Sequence, residues 1–423
     1  MNHFYYRDNQ LFCEETSVHD IAQEFGTPLY LYSKQQLIDN FRAIDSAFDG
    51  VNHTTCYALK ANSNQELLKL LKKEGAGADA VSAGEIHFAL KAGFHPSKIT
   101  FAGVGKQDSE IEFALKQNIF SFNVESIEEL AVINEIAGRL GTKARIALRI
   151  NPDIDASTHP YISTGLKTNK FGIDIAVAVD TFKYAASLPN LIVDGIHTHI
   201  GSQILKLDPF VQTAQKVVDL VKELRGLGIN IQHIDFGGGY GVTYKNSIKH
   251  PLLPLEEATN ADITPGNNAF IASVLPILKQ ADCKLVIEPG RSIVADTGIL
   301  ITKVLYRKDN GVKKFVIVDA GMNDLLRPSL YHAYHQIVPL TLKEGEQEIV
   351  DVVGPVCESG DFFARERTLP HLQRGDSAAI LTTGAYGFSI SSHYNARPSL
   401  AEVLVNGEKV RVIREREKIE ELK

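Results

Sequence analysis

Eight short apolar runs, separated by longer stretches, recur between residues 35 and 295 and constrain the fold more than any other feature. The runs are rich in β-branched residues, and several of the stretches between them have helical periodicity. Parallel strands joined by crossover helices produce this pattern, because helices then cover both faces of the sheet. Eight such units over roughly 250 residues predict a (β/α)8 TIM-like barrel. The predicted strands are 55–59, 78–82, 99–102, 119–124, 144–150, 192–200, 231–236 and 284–288, and the clearest helices are 65–73, 126–140 and 209–227.

The rhythm changes after residue 296, where strand-like runs alternate with turn residues and helical patterns are few. These runs are 299–306, 315–318, 348–353, 378–381 and 409–413, and two further runs, 4–6 and 28–32, precede the barrel. We therefore expect an antiparallel β domain formed by residues 1–34 and 296–423, beside a barrel domain of residues 35–295. The charged tail, 414–423, is predicted to be a solvated helix. Two long polar segments, 151–172 and 244–268, are predicted to be functional loops.

Composition excludes several classes of partner. The formal net charge is −7 and no basic run occurs, which argues against nucleic acid and against an anionic membrane surface. No stretch approaches the roughly 18 apolar residues of a membrane span, and the first residues do not have the order of a signal peptide. The four cysteines are widely scattered, so neither a disulfide framework nor a structural zinc site is expected. A cytoplasmic protein is the best interpretation.

Residues with reactive side chains fall at the predicted carboxyl ends of the strands, where barrel active sites lie. Lys60 directly follows the first run, and at a barrel mouth its amine could form a Schiff base. Taken alone, Lys60 fits a surface lysine better. Gly237, Gly238 and Gly239 follow the seventh run and offer bare N–H groups suited to a phosphate. A tight turn without a ligand explains these glycines equally well.

Two further rim positions suggest competing chemistries. His197 and His199 lie two apart on one strand and so point to the same side, as zinc ligands could, but we find no convincing third or fourth ligand. A satisfied structural role fits His197 better, and no metal is expected. Glu288 ends the last strand close to Arg291, which alone could be a structural ion pair. With a lysine and a phosphate loop, however, this carboxylate suggests pyridoxal phosphate, whose ring nitrogen needs an acidic partner.

Six motifs, in order along nearly the whole chain, resemble those of the fold-type-III pyridoxal-phosphate decarboxylases, the ornithine and diaminopimelate decarboxylase family. They are YALKAN (57–62), HIGSQ (199–203), DFGGGY (235–240), EPGRS (288–292), GPVCESGD (354–361) and GAY (384–386). Together they are highly specific, whereas any one alone is weak. The resemblance implies a barrel followed by a β domain, as in alanine racemase, which agrees with the periodicity.

The resemblance also implies a role for each matching residue. Lys60 would hold pyridoxal 5'-phosphate covalently, His199 would stack on its ring, and Glu288 would pair with the ring nitrogen. The phosphate would be held by Ser202, Gly239, the backbone of Gly290 and Arg291, and Tyr386, and Gly238 would be a further cofactor contact. The family acts as a homodimer in which Cys357 and Glu358 enter the partner subunit's active site. Cys357 would protonate the carbon that loses carbon dioxide.

The expected reaction is decarboxylation of meso-2,6-diaminopimelate to L-lysine, the last step of lysine biosynthesis. The far end of this substrate carries a carboxylate and an ammonium group. Arg327 and Arg291 offer guanidinium forks for the carboxylate, Glu358 can accept from the ammonium, and Tyr331 adds a hydroxyl. Tyr386 is also expected to contact the substrate. Segment 159–165, with 170–172, is expected to cover the site as a lid.

Three alternatives stay open at this stage. The first is a decarboxylase of the same family that acts on ornithine, arginine or lysine, and the combination of Arg327 and Glu358 argues against it. The second is a catalytically silent homologue that binds a partner protein, although Lys60, Glu288, Cys357 and Tyr386 are all present. A barrel metallohydrolase ranks last.

Overall fold

The computed structural model describes residues 3–156, 164–165, 169–259 and 262–422 of the 423-residue chain. The chain forms two compact units. One consists of Met1–Asp39, Val242–Ile263 and Ile293–Lys423, and the other of Asn40–Gly241 and Thr264–Ser292. The second unit is a parallel eight-stranded barrel and the first contains a mostly antiparallel sheet, so the predicted fold class is confirmed.

The helices and strands follow the chain in three stretches. The first stretch contains β1 Phe4–Arg7, β2 Gln10–Cys13, β3 Thr16–Ser17, α1 Val18–Phe25, β4 Leu29–Ser33 and α2 Lys34–Asp45. The barrel stretch contains β5 His53–Ala58, α3 Gln65–Lys73, β6 Gly77–Ala80, α4 Ala83–Ala92, β7 Ile99–Phe101, α5 Asp108–Gln117, β8 Ser121–Val124, α6 Ile127–Arg139, β9 Ala144–Asn151, β10 Ile173–Asp174, α7 Ala178–Ser187, β11 Leu191–His197, α8 Asp208–Gly226, β12 His233–Asp235, α9 Asn267–Leu278, β13 Lys284–Ile287 and α10 Arg291–Val294. The last stretch contains β14 Gly298–Asp309, β15 Lys314–Val318, α11 Arg327–Tyr331, β16 Ile337–Pro339, β17 Gln347–Val353, β18 Phe362–Pro370, β19 Ser377–Ile380, β20 Ala401–Asn406 and β21 Lys409–Arg414.

The barrel closes through eight parallel strands in the order β9, β11, β12, β13, β5, β6, β7 and β8, with β8 pairing back to β9. Short polar side chains start the helices between them: Asn64, Ser82 and Ser126 each accept a backbone N–H of the following first turn. Because all eight strands run the same way, their carboxyl ends meet on one rim. This rim positions the candidate site.

The β unit is built on a sheet in the order β18, β17, β15, β14, β4, β20 and β21, with β19 joining β14 to β16. Most pairings are antiparallel, but β15 with β17 and β4 with β20 are parallel. Leu29, Leu31, Ile299, Ile301 and Val403 are fully buried in its core or nearly so. The first three strands form a small separate sheet whose Leu11 and Cys13 pack into the same core.

Two features differ from the expectations. The sequence assigned residues 242–263 to the barrel, but Ile248 and Leu253 are buried in the core of the β unit. Gln336 fixes this segment, accepting from the backbone N–H of Ile248 at 3.0 Å and donating to its carbonyl at 2.8 Å. An irregular segment carries no periodicity that would indicate which core it joins.

The prediction of a helical tail is wrong. After β21 the tail is irregular, and the segment Ile419–Glu421 forms a single 3-10 turn. The backbone N–H of Glu417 donates to the carbonyl of Ser399 at 3.1 Å, and the Glu417 side chain accepts from the N–H of Ser399 at 2.9 Å. These hydrogen bonds replace those that a helix would have made within the tail. Among the described residues, no helix combines the length and the hydropathy that a membrane crossing requires.

Candidate active site

Lys60 lies in a short 3-10 turn, Leu59–Ala61, at the carboxyl end of β5. Its Nζ donates to Oδ2 of Asp79, at the end of the neighbouring strand β6, over 2.9 Å. The Lys60 side chain is 36% exposed, whereas that of Asp79 is completely buried. Burial, and then the charge of Glu288, raise the pKa of Asp79 to about 6, against the opposing effect of Lys60. The amine is therefore accessible and lies against a buried acid.

Glu288 follows β13 and is buried at the same rim. Its Oε2 lies 3.2 Å from Nε2 of His197, and its Oε1 accepts from Asn123 Nδ2 at 3.1 Å and more weakly from Thr100 Oγ1 at 3.4 Å. Burial alone would raise the pKa of this carboxyl, but His197 and then Lys60 lower it well below its usual range. The structure therefore holds an ionised carboxylate in the interior of the barrel.

Asp235 ends β12 beside Glu288. Its Oδ1 accepts from the N–H of Gly237 at 3.0 Å, and its Oδ2 accepts from Asn123 Nδ2 at 3.0 Å. Burial, and then the charge of Glu288, raise the pKa of Asp235 well above its usual range. Two carboxyl groups this close cannot both ionise easily, so Glu288 carries the charge and Asp235 the proton.

His197, Asp235 and Glu288 each offer one ligand atom, and these atoms lie within 4.8 Å of one another. Asp235, which was not predicted as a ligand, supplies the third group. His197 is also less satisfied than expected, because its buried Nδ1 has no hydrogen-bond partner among the described residues. The group could hold a cation of either kind, a metal ion or a protonated ring nitrogen.

His199 is fixed as a neutral ring. Its Nδ1 lies 3.2 Å from the backbone N–H of Gly238 and accepts from it, so the proton of the neutral imidazole is on Nε2. Burial, and then the charge of Arg149, lower the pKa of His199 well below its usual range. An uncharged, half-buried ring at the rim suits stacking against a flat ligand.

The glycine loop is explained first by packing. A Cβ at Gly238 would lie 2.2 Å from the carbonyl oxygen of Glu288, and one at Gly239, where φ is +108°, would lie 2.3 Å from that of Gly201. The tight-turn interpretation thus accounts for these glycines, and phosphate binding stays a prediction. The loop nevertheless lies beside the other predicted phosphate ligands, since Arg291 Nη2 donates to Ser202 Oγ at 3.0 Å.

Gly290 lies against the lysine turn, where an added Cβ would come within 3.0 Å of the Ala61 Cβ. The rim of the barrel unit therefore brings together the predicted cofactor residues of that unit: Lys60, His199, Ser202, Gly238, Gly239, Glu288, Gly290 and Arg291. Sequence reasoning gave no role to Asp79 or Asp235. The sequence feature that could have identified them is an acidic residue within, or at the end of, an otherwise apolar run.

The remaining predicted site residues belong to the β unit. Arg327 begins α11 and is 5% exposed, and Tyr331, at the end of this helix, is half-buried. Arg327 Nη1 lies 2.7 Å from Nε2 of His335, and its guanidinium carbon lies 4.8 Å from the ring centre of Tyr244. His335 and Tyr244 were not predicted, and no motif marked them.

Cys357 and Glu358 are exposed on the loop that follows β17. Asp361 holds the base of this loop, accepting from the N–H groups of Val356 and Met322 at 2.6 Å each. The N–H of Cys357 donates to Oδ1 of Asn395 at 3.2 Å. Tyr386, with a φ of +55°, is half-buried on the same unit. A loop held at its base by these hydrogen bonds thus presents the thiol and the carboxylate to solvent.

Residues 159–163 of the predicted lid lie outside the described residues. The described part is anchored to the barrel rim. Thr164 Oγ1 donates to the carbonyl of His199 at 2.8 Å, and the N–H of Gly172 donates to Oε2 of Glu125 at 2.8 Å.

The barrel rim fits pyridoxal phosphate. The accessible Lys60 amine suits an aldehyde, and the ionised Glu288 lies buried where a protonated ring nitrogen would need a counter-charge. His197 Nδ1 and Asp79 Oδ1 are buried polar atoms without a hydrogen-bond partner among the described residues, as expected of a site built around a polar ligand.

Comparisons with known proteins agree with this geometry. Residues 34–295 match the family described as pyridoxal-dependent decarboxylase, pyridoxal binding domain. A diaminopimelate decarboxylase from Aquifex aeolicus is 50% identical over 97% of this chain and 94% of its own length. One from Vibrio cholerae is 46% identical over 100% and 98%. The crystal structure of diaminopimelate decarboxylase from Helicobacter pylori complexed with L-lysine is 49% identical, covers 95% of this chain and 97% of its own, and superposes with a TM-score of 0.88. The chain belongs to the family of pyridoxal-dependent decarboxylases.

Proposed function

We propose that this chain decarboxylates meso-2,6-diaminopimelate to L-lysine and carbon dioxide, with pyridoxal phosphate bound to Lys60. The observation that carries the proposal is the buried Glu288 carboxylate, 3.2 Å from Nε2 of His197, at the same rim as the partly exposed Lys60 amine. The substrate comes from the relatives, which carry the name diaminopimelate decarboxylase at 44–50% identity over nearly the whole chain.

When bound, pyridoxal phosphate supplies an electron sink for the carbon that loses carbon dioxide. The chain's contribution is electrostatic. Glu288, kept ionised by His197, would hold a proton on the ring nitrogen, because an adjacent negative charge stabilises the protonated form. Asp235 stays protonated and so adds no second negative charge. The neutral ring of His199 adds no positive charge to the rim.

We assign the phosphate to Ser202, Gly238, Gly239, Gly290 and Arg291, with Tyr386 as a further ligand. The hydrogen bond from Arg291 to Ser202 supports this assignment, since it brings two of the assigned residues together. Arg291 was also predicted to bind the substrate, and its backbone N–H and its guanidinium can serve the phosphate and the substrate separately.

We assign the distal end of the substrate to the β unit. Arg327 binds the distal carboxylate, Glu358 accepts from the distal ammonium, and Tyr331 and Tyr386 line the pocket. The fixed, buried guanidinium of Arg327 supports its assignment, because a planar donor pair matches a carboxylate in two hydrogen bonds. A decarboxylase of ornithine or arginine would not need a cation here.

The proposal includes a homodimer in which Cys357 and Glu358 complete the partner's site, with Cys357 as the acid that protonates the reacting carbon. Their exposure on a well-anchored loop supports this assignment. The proposal also includes a cytoplasmic location, which the lack of any disulfide among the four cysteines supports.

The test is a substrate panel. Purified holoenzyme is assayed for carbon dioxide release from meso-diaminopimelate, L-lysine, L-ornithine and L-arginine, and its visible absorbance and bound metals are measured. We expect a visible cofactor band and a kcat/KM for diaminopimelate at least about a hundredfold above the others, because each unmatched buried charge costs several kcal/mol. Preference for another amino acid would overturn the substrate assignment. A stoichiometric metal with no cofactor band would favour the metal alternative at His197, Asp235 and Glu288.

A further inference from the structure

The side chain of Arg327 is held by two residues that no motif marks. His335 is completely buried on the segment after α11, and its Nε2 lies 2.7 Å from Arg327 Nη1. Tyr244, also buried, lies on the segment before the barrel resumes, and its ring centre is 4.8 Å from the guanidinium carbon. The rings of Tyr244 and His335 meet edge to face at 5.1 Å. These two rings form a corner around the guanidinium.

The tautomer of His335 follows from its other nitrogen. Nδ1 lies 2.8 Å from the carbonyl oxygen of Leu381, which can only accept, so Nδ1 carries the proton. Nε2 is then an acceptor for the N–H of Arg327. A protonated imidazole would direct an N–H group at a guanidinium, which is both a steric and an electrostatic conflict. His335 therefore acts as a neutral acceptor of fixed direction.

A neutral acceptor and a carboxylate would differ in their effect on the positive charge of Arg327. A carboxylate beside Arg327 would orient the guanidinium but would also compensate its positive charge and compete with an incoming carboxylate. An imidazole orients the guanidinium and adds no negative charge of its own. The face of Tyr244 adds a cation–π contact that fixes the plane without contributing charge.

We propose that His335 is a positioning residue that determines specificity, because it aims Arg327 at the distal carboxylate of the substrate. This inference rests on the proposed function of Arg327. It extends that function to a completely buried residue that acts through Arg327.

The test uses two ligands that differ by one carboxylate. Decarboxylation leaves the distal end of diaminopimelate unchanged, so the product L-lysine retains the group that Arg327 recognises, whereas cadaverine lacks it. Both are measured as competitive inhibitors on the same enzyme sample. The ratio of the inhibition constant for L-lysine to that for cadaverine reports recognition of the carboxylate. A change in the fraction of active enzyme affects both measurements equally and cancels in the ratio.

Two amide variants differ by one methylene group. His335→Asn can keep the hydrogen bond to Leu381 but is too short to reach Arg327, whereas His335→Gln extends its amide oxygen to the position of Nε2. We expect His335→Asn to raise the ratio about tenfold, which corresponds to the loss of one hydrogen bond of roughly 1.4 kcal/mol. Only the inhibition constant for L-lysine should change. His335→Gln should stay within about threefold of wild type. Melting temperature and cofactor absorbance are recorded for both variants.

The Arg327→Ala variant distinguishes a failure of the positioning role of His335 from a failure of the proposed function of Arg327. If Arg327→Ala raises the ratio while His335→Asn leaves it unchanged, the positioning role is wrong and the function of Arg327 stands. If Arg327→Ala leaves the ratio unchanged, the proposed function of Arg327 is itself wrong. Equal weakening of L-lysine and cadaverine in His335→Asn, with a lowered melting temperature, would indicate a structural role and would also overturn the inference.

Discussion

At the scale of single residues, the barrel rim is organised by the unequal ionisation of three buried acids. Glu288 is ionised because His197 and Lys60 outweigh the cost of burial, and Asp235 stays protonated because Glu288 is charged. Asp79 is intermediate, with a pKa raised to about 6. Environment therefore gives three similar side chains three different roles, as expected where neighbouring groups shift pKa values apart.

The contact between Asp79 and Lys60 predicts a pH effect on the bound cofactor. Above about pH 6 Asp79 is ionised, and at 2.9 Å it stabilises a proton on the nitrogen of Lys60. In Asp79→Asn this proton should leave at lower pH, so the midpoint of the pH titration of the cofactor absorbance should fall by about 1–3 units. The midpoint is measured by spectrophotometric titration of both holoenzymes. An unchanged or higher midpoint would show that Asp79 does not act on this nitrogen.

At the scale of elements, the loop after β12 must approach the end of β13 without side chains. A Cβ at position 238 would meet the backbone of Glu288, which cannot give way as a flexible side chain can. Gly238→Ala should therefore lower the free energy of unfolding by about 1–3 kcal/mol and weaken cofactor binding. Gly226→Ala, at the end of α8, is the control, since nothing lies within 4 Å of its added Cβ. The two variants are compared by denaturant unfolding and cofactor titration, and equal behaviour would contradict the packing argument.

The elements were more predictable from sequence than the contacts between them. Each of the eight barrel strands follows from a local apolar run, because both faces of such a strand are buried. Local patterns do not report partners that are distant in sequence. For this reason Asp79 beneath Lys60, and His335 beside Arg327, could not be predicted. The same limit explains segment 242–263, whose Ile248 is fixed by Gln336, 88 residues away in the chain.

At the scale of the whole molecule, the proposal requires two chains for each active site. Lys60→Ala and Cys357→Ala should each be inactive, but a hybrid dimer of the two has one site with both residues intact. Random mixing should then restore about a quarter of wild-type activity, since half of the dimers are hybrids with one working site of two. Each variant mixed with itself is the control. If tagged subunits exchange and activity does not return, the site is not shared.

Product stoichiometry decides whether Lys60 and its cofactor convert meso-diaminopimelate to L-lysine. Wild type and Lys60→Ala are incubated with meso-diaminopimelate and pyridoxal phosphate, and carbon dioxide and L-lysine are measured together. Lys69→Ala, on the surface of α3, is the matched control. We predict equal amounts of the two products from wild type and Lys69→Ala. Lys60→Ala should be slower by at least about a thousandfold, because it lacks the group that binds the cofactor. Comparable turnover by Lys60→Ala would contradict the role of Lys60, and carbon dioxide release without L-lysine would contradict the proposed reaction.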